Sequence, residues 1–180
     1  KGMNLKKLAL AVLAVGTTAY IVNHNKKNIK YKPAQNFNLQ NFLGRWYEIA
    51  RIENNTQKNQ TNVTHRFNMT EDHESLDIII RGYNPKKKKW IKTEGLAKQE
   101  IDNVGIFSAI FLPRIAKKLY VIDFDKEFNN LLIASENYQN LWILSRKKEI
   151  SETVKTRFFE SSKKVGFNPN NLIWPSHEAR

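Results

Sequence analysis

The stretch Gly44-Arg45-Trp46-Tyr47-Glu48-Ile49-Ala50 is answered about a hundred residues later by Leu141-Trp142-Ile143-Leu144-Ser145-Arg146, and short segments with a period of two fill the interval. A small closed β-barrel needs this arrangement if its first strand is to meet its last. A guanidinium laid over an indole face gains about 0.5 to 2 kcal/mol and closes a barrel end with a planar stack. The pair here is Trp46 and Arg146.

The β-branched and aromatic segments predict eight strands: Trp46–Ile52, Thr61–Met69, Ser75–Tyr83, Trp90–Lys98, Val104–Leu112, Lys118–Phe124, Asn130–Ser135 and Leu141–Ser145. Their spacing of about a dozen residues suggests an antiparallel meander. Leu76, Ile78 and Ile80 alternate with Asp77 and Arg81, whereas Leu119 and Val121 alternate with the equally apolar Tyr120 and Ile122. Glu48 shares the parity of Trp46 and Ala50, so if it faces inward it needs Arg, Lys or water as a partner. Asn38 to Phe42 reads as a helical turn before the first strand.

After the last strand the period becomes 3.6. Ser151 is the expected N-cap, Glu152 suits the positive end of the helix, Val154, Phe158 and Val165 form an apolar stripe broadened by Phe159, and Gly166 ends it. One helix is therefore expected on the barrel wall, and Leu172-Ile173-Trp174-Pro175 can add a short closing strand.

The chain of 180 residues suits one domain with a short extension. Residues 1–22 carry Lys6-Lys7, an apolar run from Leu8 to Val22 and then Lys26-Lys27 beyond it, the pattern of a signal peptide or signal anchor. Residues 23–36 read as a linker, and 37–180 as the folded domain. The net charge is +13, but seven lysines precede the first acidic residue, Glu48, which leaves +6 for the rest. There is no Cys, so disulfides, thiolate metal sites, thiol nucleophiles and a lipid-modified N-terminal Cys are all excluded. No G-x-S-x-G elbow or phosphate-binding glycine loop occurs, and an enzyme is not expected. His24, His65, His73 and His177 lack metal-ligand spacing and read as surface or strand histidines; no metal and no cofactor is expected. The pI near 9.9 raises nucleic acid as a partner, but the lysines do not interleave with stacking aromatics, and none is expected.

Taken together, these residues resemble the lipocalin family, and within it the bacterial outer-membrane lipocalins and apolipoprotein D. Gly44, Trp46 and Tyr47 match the first family signature, and Arg146 the last. Arg81-Gly82-Tyr83-Asn84-Pro85 with Trp90 and Glu94-Gly95, the segment Leu141 to Arg146, and Ile150-Ser151 match the bacterial subgroup; the likeness runs from about Phe37 to Trp174. The middle signature departs, with Asp125-Lys126-Glu127-Phe128 ending in Phe where Tyr is usual. The lost hydroxyl bond should cost about 1 kcal/mol.

The resemblance implies an all-β fold: an eight-stranded antiparallel up-and-down barrel with one C-terminal helix on its wall, closed at one end by Gly44, Trp46 and Arg146. The open cup would carry a fatty acid or lysophospholipid. Leu76, Ile78, Ile80, Phe107, Tyr120 and Trp142 are the expected lining. Hairpins after the odd strands lie at the mouth, where Lys86, Lys87, Lys88, Lys89, Arg114, Lys117 and Lys118, with Lys58 and two acids, sum to +6; the base loops sum to −6. The mouth is expected to face anionic headgroups or a membrane surface, with Phe111, Leu112, Pro113 and Ile115 as an apolar lip. The alternative for the mouth lysines is a solvated rim; the alternatives for the function are a carrier of a different small apolar ligand such as haem, with His65 on the iron, or pigment, and an anionic-surface-binding protein. Expected localisation is the envelope of a Gram-negative bacterium, periplasmic or membrane-associated, without Cys acylation. Burying about ten methylenes at ~0.8 kcal/mol each, against association costs of ~4 kcal/mol or more, implies micromolar or weaker affinity.

Overall fold

The computed structural model describes residues 31–112, 115–136 and 139–178. The signal segment, Pro113 and Arg114 therefore lie outside the described residues. Asn38 caps a one-turn helix α1, Leu39–Phe42, by accepting from the Gln40 N–H at 2.9 Å. Strands follow as β1 Gly44–Ile52, β2 Thr61–Met69, β3 Leu76–Asn84, β4 Lys89–Gln99, β5 Ile106–Phe111, β6 Ile115–Phe124, β7 Asn130–Ser135 and β8 Leu141–Ser145; helix α2, Glu152–Lys164, and a short β9, Leu172–Ile173, complete the chain.

The sheet runs β2-β3-β4-β5-β6-β7-β8-β1-β9, and β1 also pairs with β2, which closes the barrel. Every pairing is antiparallel, and β1 meets β2 with Trp46 opposite His65. That pairing covers only Gly44 to Tyr47, after which β1 bulges between Glu48 and Ala50. The extra residue turns Ile49 and Ala50 outward together and brings Arg51 back to the interior side.

Two apolar clusters divide the core. One fills the barrel, with Trp46, Phe67, Ile78, Leu131 and Leu144 among its members; the other lies between wall and helix, around Ile49, Tyr120, Ile143 and Phe158. Helix α2 starts where the Ser151 hydroxyl accepts from the Val154 N–H, and ends in paired bonds from Gly166 N to Lys163 O and from Phe167 N to Ser162 O. Those two bonds form a Schellman motif, which Gly166 permits with φ at 92°. Arg157 donates from Nε to the Asp123 carboxylate at 2.9 Å and Ser161 from Oγ at 2.7 Å, which pins the helix to a second bulge, in β6.

The described part of segment 23–36 is not a free linker. The Tyr31 ring is buried edge-on against Tyr120 at 5.1 Å and stacked on Phe167 at 6.1 Å, and Ala34 donates to Val121 O at 2.8 Å. Apolar area on the outer wall draws this strap onto the barrel.

Candidate ligand cavity

Closure of the base comes from Trp46 and its neighbours. The Arg146 guanidinium carbon sits 3.6 Å from the Trp46 ring centre. Arg146 Nη1 donates to Arg45 O at 2.7 Å, and Nη2 to Asn41 O at 2.8 Å and Leu43 O at 2.7 Å, so one side chain answers three carbonyls at the end of α1 and the start of β1. Gly44 adopts φ of 95°, and a Cβ there would lie 3.4 Å from Arg146 Nη1. Burial lowers the Arg146 pKa from its ordinary value. Phe128, where Tyr is usual, turns inward and packs on Phe124 at 4.4 Å and Phe37 at 5.7 Å. Asp125 accepts from the Asn129 and Asn130 N–H groups.

Above this plug the interior holds three small adjoining chambers that share lining residues. The base chamber, about 20 Å³, is lined by Leu76, Ile78, Phe107 and Val121 among others. The central chamber, about 30 Å³, is lined by His65, Phe67, Ile78, Ile80, Leu119 and Trp142 among others. Near the rim a third, about 40 Å³, lies among Gln57, Phe111, Leu112, Ile115, Lys117 and Trp142. Ile78 and Leu119 border the first two, and Ile80, Phe111 and Trp142 the last two.

Leu76, Ile78, Ile80, Phe107 and Trp142 thus all face the interior. Tyr120 does not: it points outward, packs on Tyr31, and has its hydroxyl pushed up to about 12 by burial and the Glu100 charge. Because Tyr31 and Phe167 cover the outer wall there, both faces of β6 are apolar, and polarity does not mark the inside.

One wall of the interior carries a buried polar cluster. Glu48 is fully buried and accepts from Arg51 Nη1 at 2.7 Å, Gln57 Nε2 at 2.6 Å and His65 Nε2 at 2.6 Å. Burial pushes its carboxyl up, but the bonds and charges of His65 and Arg51 outweigh this and hold the pKa below its ordinary value. Arg51 also donates to Gln57 O at 2.8 Å and to Glu53 at 3.0 Å, so it latches the β1–β2 mouth loop onto β1. Trp142 Nε1 donates to Gln57 Oε1 at 2.9 Å, which fixes the indole between the central and rim chambers. His65 is therefore a strand histidine whose ring lies in the interior. Its parity with Val63 and Phe67 on β2, beside a β1 whose Glu48 is equally anomalous, is the sequence signal for the cluster.

At the rim, Lys86 to Lys88 are exposed on a turn in which Asn84 Oδ1 accepts from the Lys87 N–H at 3.0 Å, and Lys89 is exposed at the start of β4. Lys117 is half-buried in the rim chamber: its Nζ donates to Asn140 Oδ1 at 2.8 Å and stands 5.9 Å from the Phe111 ring centre and 6.0 Å from that of Trp142. Burial lowers its pKa. Lys118 is not a mouth residue. It points to the outer wall, where it pairs with Glu100 at 3.1 Å, because consecutive strand residues face opposite sides. Leu112 and Ile115 are exposed beside the opening.

Comparison with known proteins agrees with this geometry. The lipocalin-like domain family matches residues 37–177. The chain is 31% identical over 169 residues to the outer membrane lipoprotein Blc of Citrobacter freundii, covering 92% of this chain and 95% of the relative. It is 30% identical over 145 residues to the protein of the same name from Vibrio cholerae, covering 79% and 84%. Lobster apocrustacyanin A1 superposes with a TM-score of 0.65 at 15% identity, covering 86% of this chain and 94% of that one, a likeness of fold alone. A closed eight-stranded barrel, stoppered by Trp46 and Arg146 and lined with apolar side chains, belongs to the lipocalin family, whose members bind small hydrophobic ligands.

Proposed function

We propose that the protein is a non-enzymatic carrier of a fatty acid or lysophospholipid, working at a membrane of the Gram-negative envelope. The observation that carries this reading is the run of adjoining apolar chambers from Leu76 to Trp142 with the Lys117 ammonium at its outer end. An acyl chain enters by widening these chambers through side-chain movement and bends past Phe111 and Trp142, and an anionic headgroup then meets Lys117 where burial weakens competition from water. Lys86 to Lys89, with Leu112 and Ile115 beside them, suit contact with an anionic bilayer from which the lipid is taken. Expected affinity is micromolar, that of a carrier that also releases.

The name of the two bacterial relatives supports an envelope location. Lipid attachment through Cys is a different matter, since the 180 residues contain none.

Native mass spectrometry of protein purified from its own host tests the reading. A co-purifying fatty acid or lysophospholipid is the expected adduct. Protein that emerges empty and takes up neither lipid when offered would overturn it.

A further inference from the structure

The central chamber contains one polar atom that the protein leaves unanswered. An ionised carboxylate can only accept, so the hydrogen between Glu48 and His65 Nε2 belongs to the histidine. Nδ1 of the same ring makes no hydrogen bond to a described residue and is not sealed off by protein atoms, while His65 as a whole is 4% exposed and lines the chamber. Its neighbours are committed elsewhere: Gln57 to Glu48 and Trp142, Arg51 to Glu48 and the mouth loop. Strands β3, β6, β7 and β8 present only Ile78, Ile80, Leu119, Ile133, Trp142 and Leu144 to the same space. The charged groups near the ring are Glu48 and Arg51 from β1, with Lys117 of β6 farther out beyond Trp142.

We propose that His65 Nδ1 reads a hydroxyl group on the ligand, so that the preferred cargo is an acyl lipid hydroxylated on the part of its chain lying in the central chamber. A hydroxyl suits this position because it both donates and accepts. It satisfies Nδ1 as acceptor in the neutral ring and as donor in the protonated one. A bare methylene leaves a buried nitrogen dry and unpaired, and a site built for a hydroxyl discriminates against the analogue lacking it. The His65 ring lies 6.5 Å from the Trp142 ring, and Lys117 Nζ lies 6.0 Å from it. With the headgroup at Lys117, the hydroxyl therefore belongs on the headgroup-proximal half of the chain.

This inference rests on the acyl-lipid reading above, and one experiment separates the two. Stearic acid and a series of stearic acids hydroxylated at stepped positions compete against a fluorescent polyene fatty acid for the full protein. One position, or two adjacent ones, should bind about tenfold more tightly than stearic acid, the scale of one buried hydrogen bond. His65→Phe should bind all of them alike, and His65→Gln, which keeps a donor for Glu48 and an acceptor for the ligand, should retain part of the preference. Residual binding of stearic acid shows that each variant is folded. No preferred position in the natural protein, or a preference that survives His65→Phe, would overturn the proposal. Failure of every acid to displace the probe would overturn the acyl-lipid reading itself.

Discussion

Arg51 Nη1 and Glu48 Oε1 are 2.7 Å apart, and both side chains are shut off from solvent. The pair stands where β1 bulges and leaves β2, so it replaces ladder hydrogen bonds by side-chain bonds to the mouth loop. Breaking one side of a buried pair leaves the other charge uncompensated, which costs about 3 to 5 kcal/mol. Glu48→Gln should lose about 3 kcal/mol in denaturant unfolding at neutral pH. Because the folded pKa of Glu48 lies below the ordinary 4.5, its contribution is complete above that value and is lost as pH falls through the lowered one. The natural protein should therefore weaken more than Glu48→Gln on acidification through this range.

Arg146 answers three backbone carbonyls and covers an indole, and a point charge on a flexible stem cannot do both. Arg146→Ala should cost about 2 to 3 kcal/mol, with Arg146→Lys recovering less than half. Gly44→Ala should cost about 1 to 2 kcal/mol, because φ of 95° disfavours any side chain. Urea unfolding of the three variants checks both statements.

The barrel was legible because its evidence is local: strand bounds follow β-propensity and turn residues, and β2, β7 and β8 fall where expected. The helix was legible from its cap, stripe and Gly166. Facing was harder, since the inner and outer walls of β6 are both apolar and Tyr120 looks like a lining residue until Tyr31 is seen to cover it. The bulge after Glu48 has no marker of its own, so Arg51 could not be assigned to the interior from parity. The hydrogen bonds that join Glu48, Gln57, His65 and Trp142 link three strands and a loop, and only the folded register brings them together.

Lys117 loses charge earlier than an ordinary lysine because burial disfavours its ammonium. If that ammonium meets the ligand carboxylate, fatty-acid affinity should fall as pH rises into the range below that of an ordinary lysine while the carboxylate stays ionised throughout. Lys117→Met should bind about tenfold more weakly at pH 7 and show little further decline. Titrations at stepped pH compare the two.

Lys86 to Lys88 in an exposed turn and Lys89 at the start of β4 form one exposed basic run, where each charge contributes about 1 kcal/mol near an anionic surface. Replacing all four by Ser should weaken binding to vesicles rich in anionic lipid by at least tenfold at low salt, with no change in folding stability beyond about 0.5 kcal/mol. Vesicle sedimentation at two ionic strengths reads the effect, which should shrink as salt rises.

The run of chambers itself is tested most directly by titrating the protein with palmitic acid in a calorimeter, alongside Ile78→Trp, which places an indole where the base and central chambers meet. One saturable site of micromolar affinity in the natural protein, lost or greatly weakened in a folded Ile78→Trp, is the predicted result. Absence of saturable binding, or equal binding by the blocked variant, would contradict an acyl chain held inside the barrel.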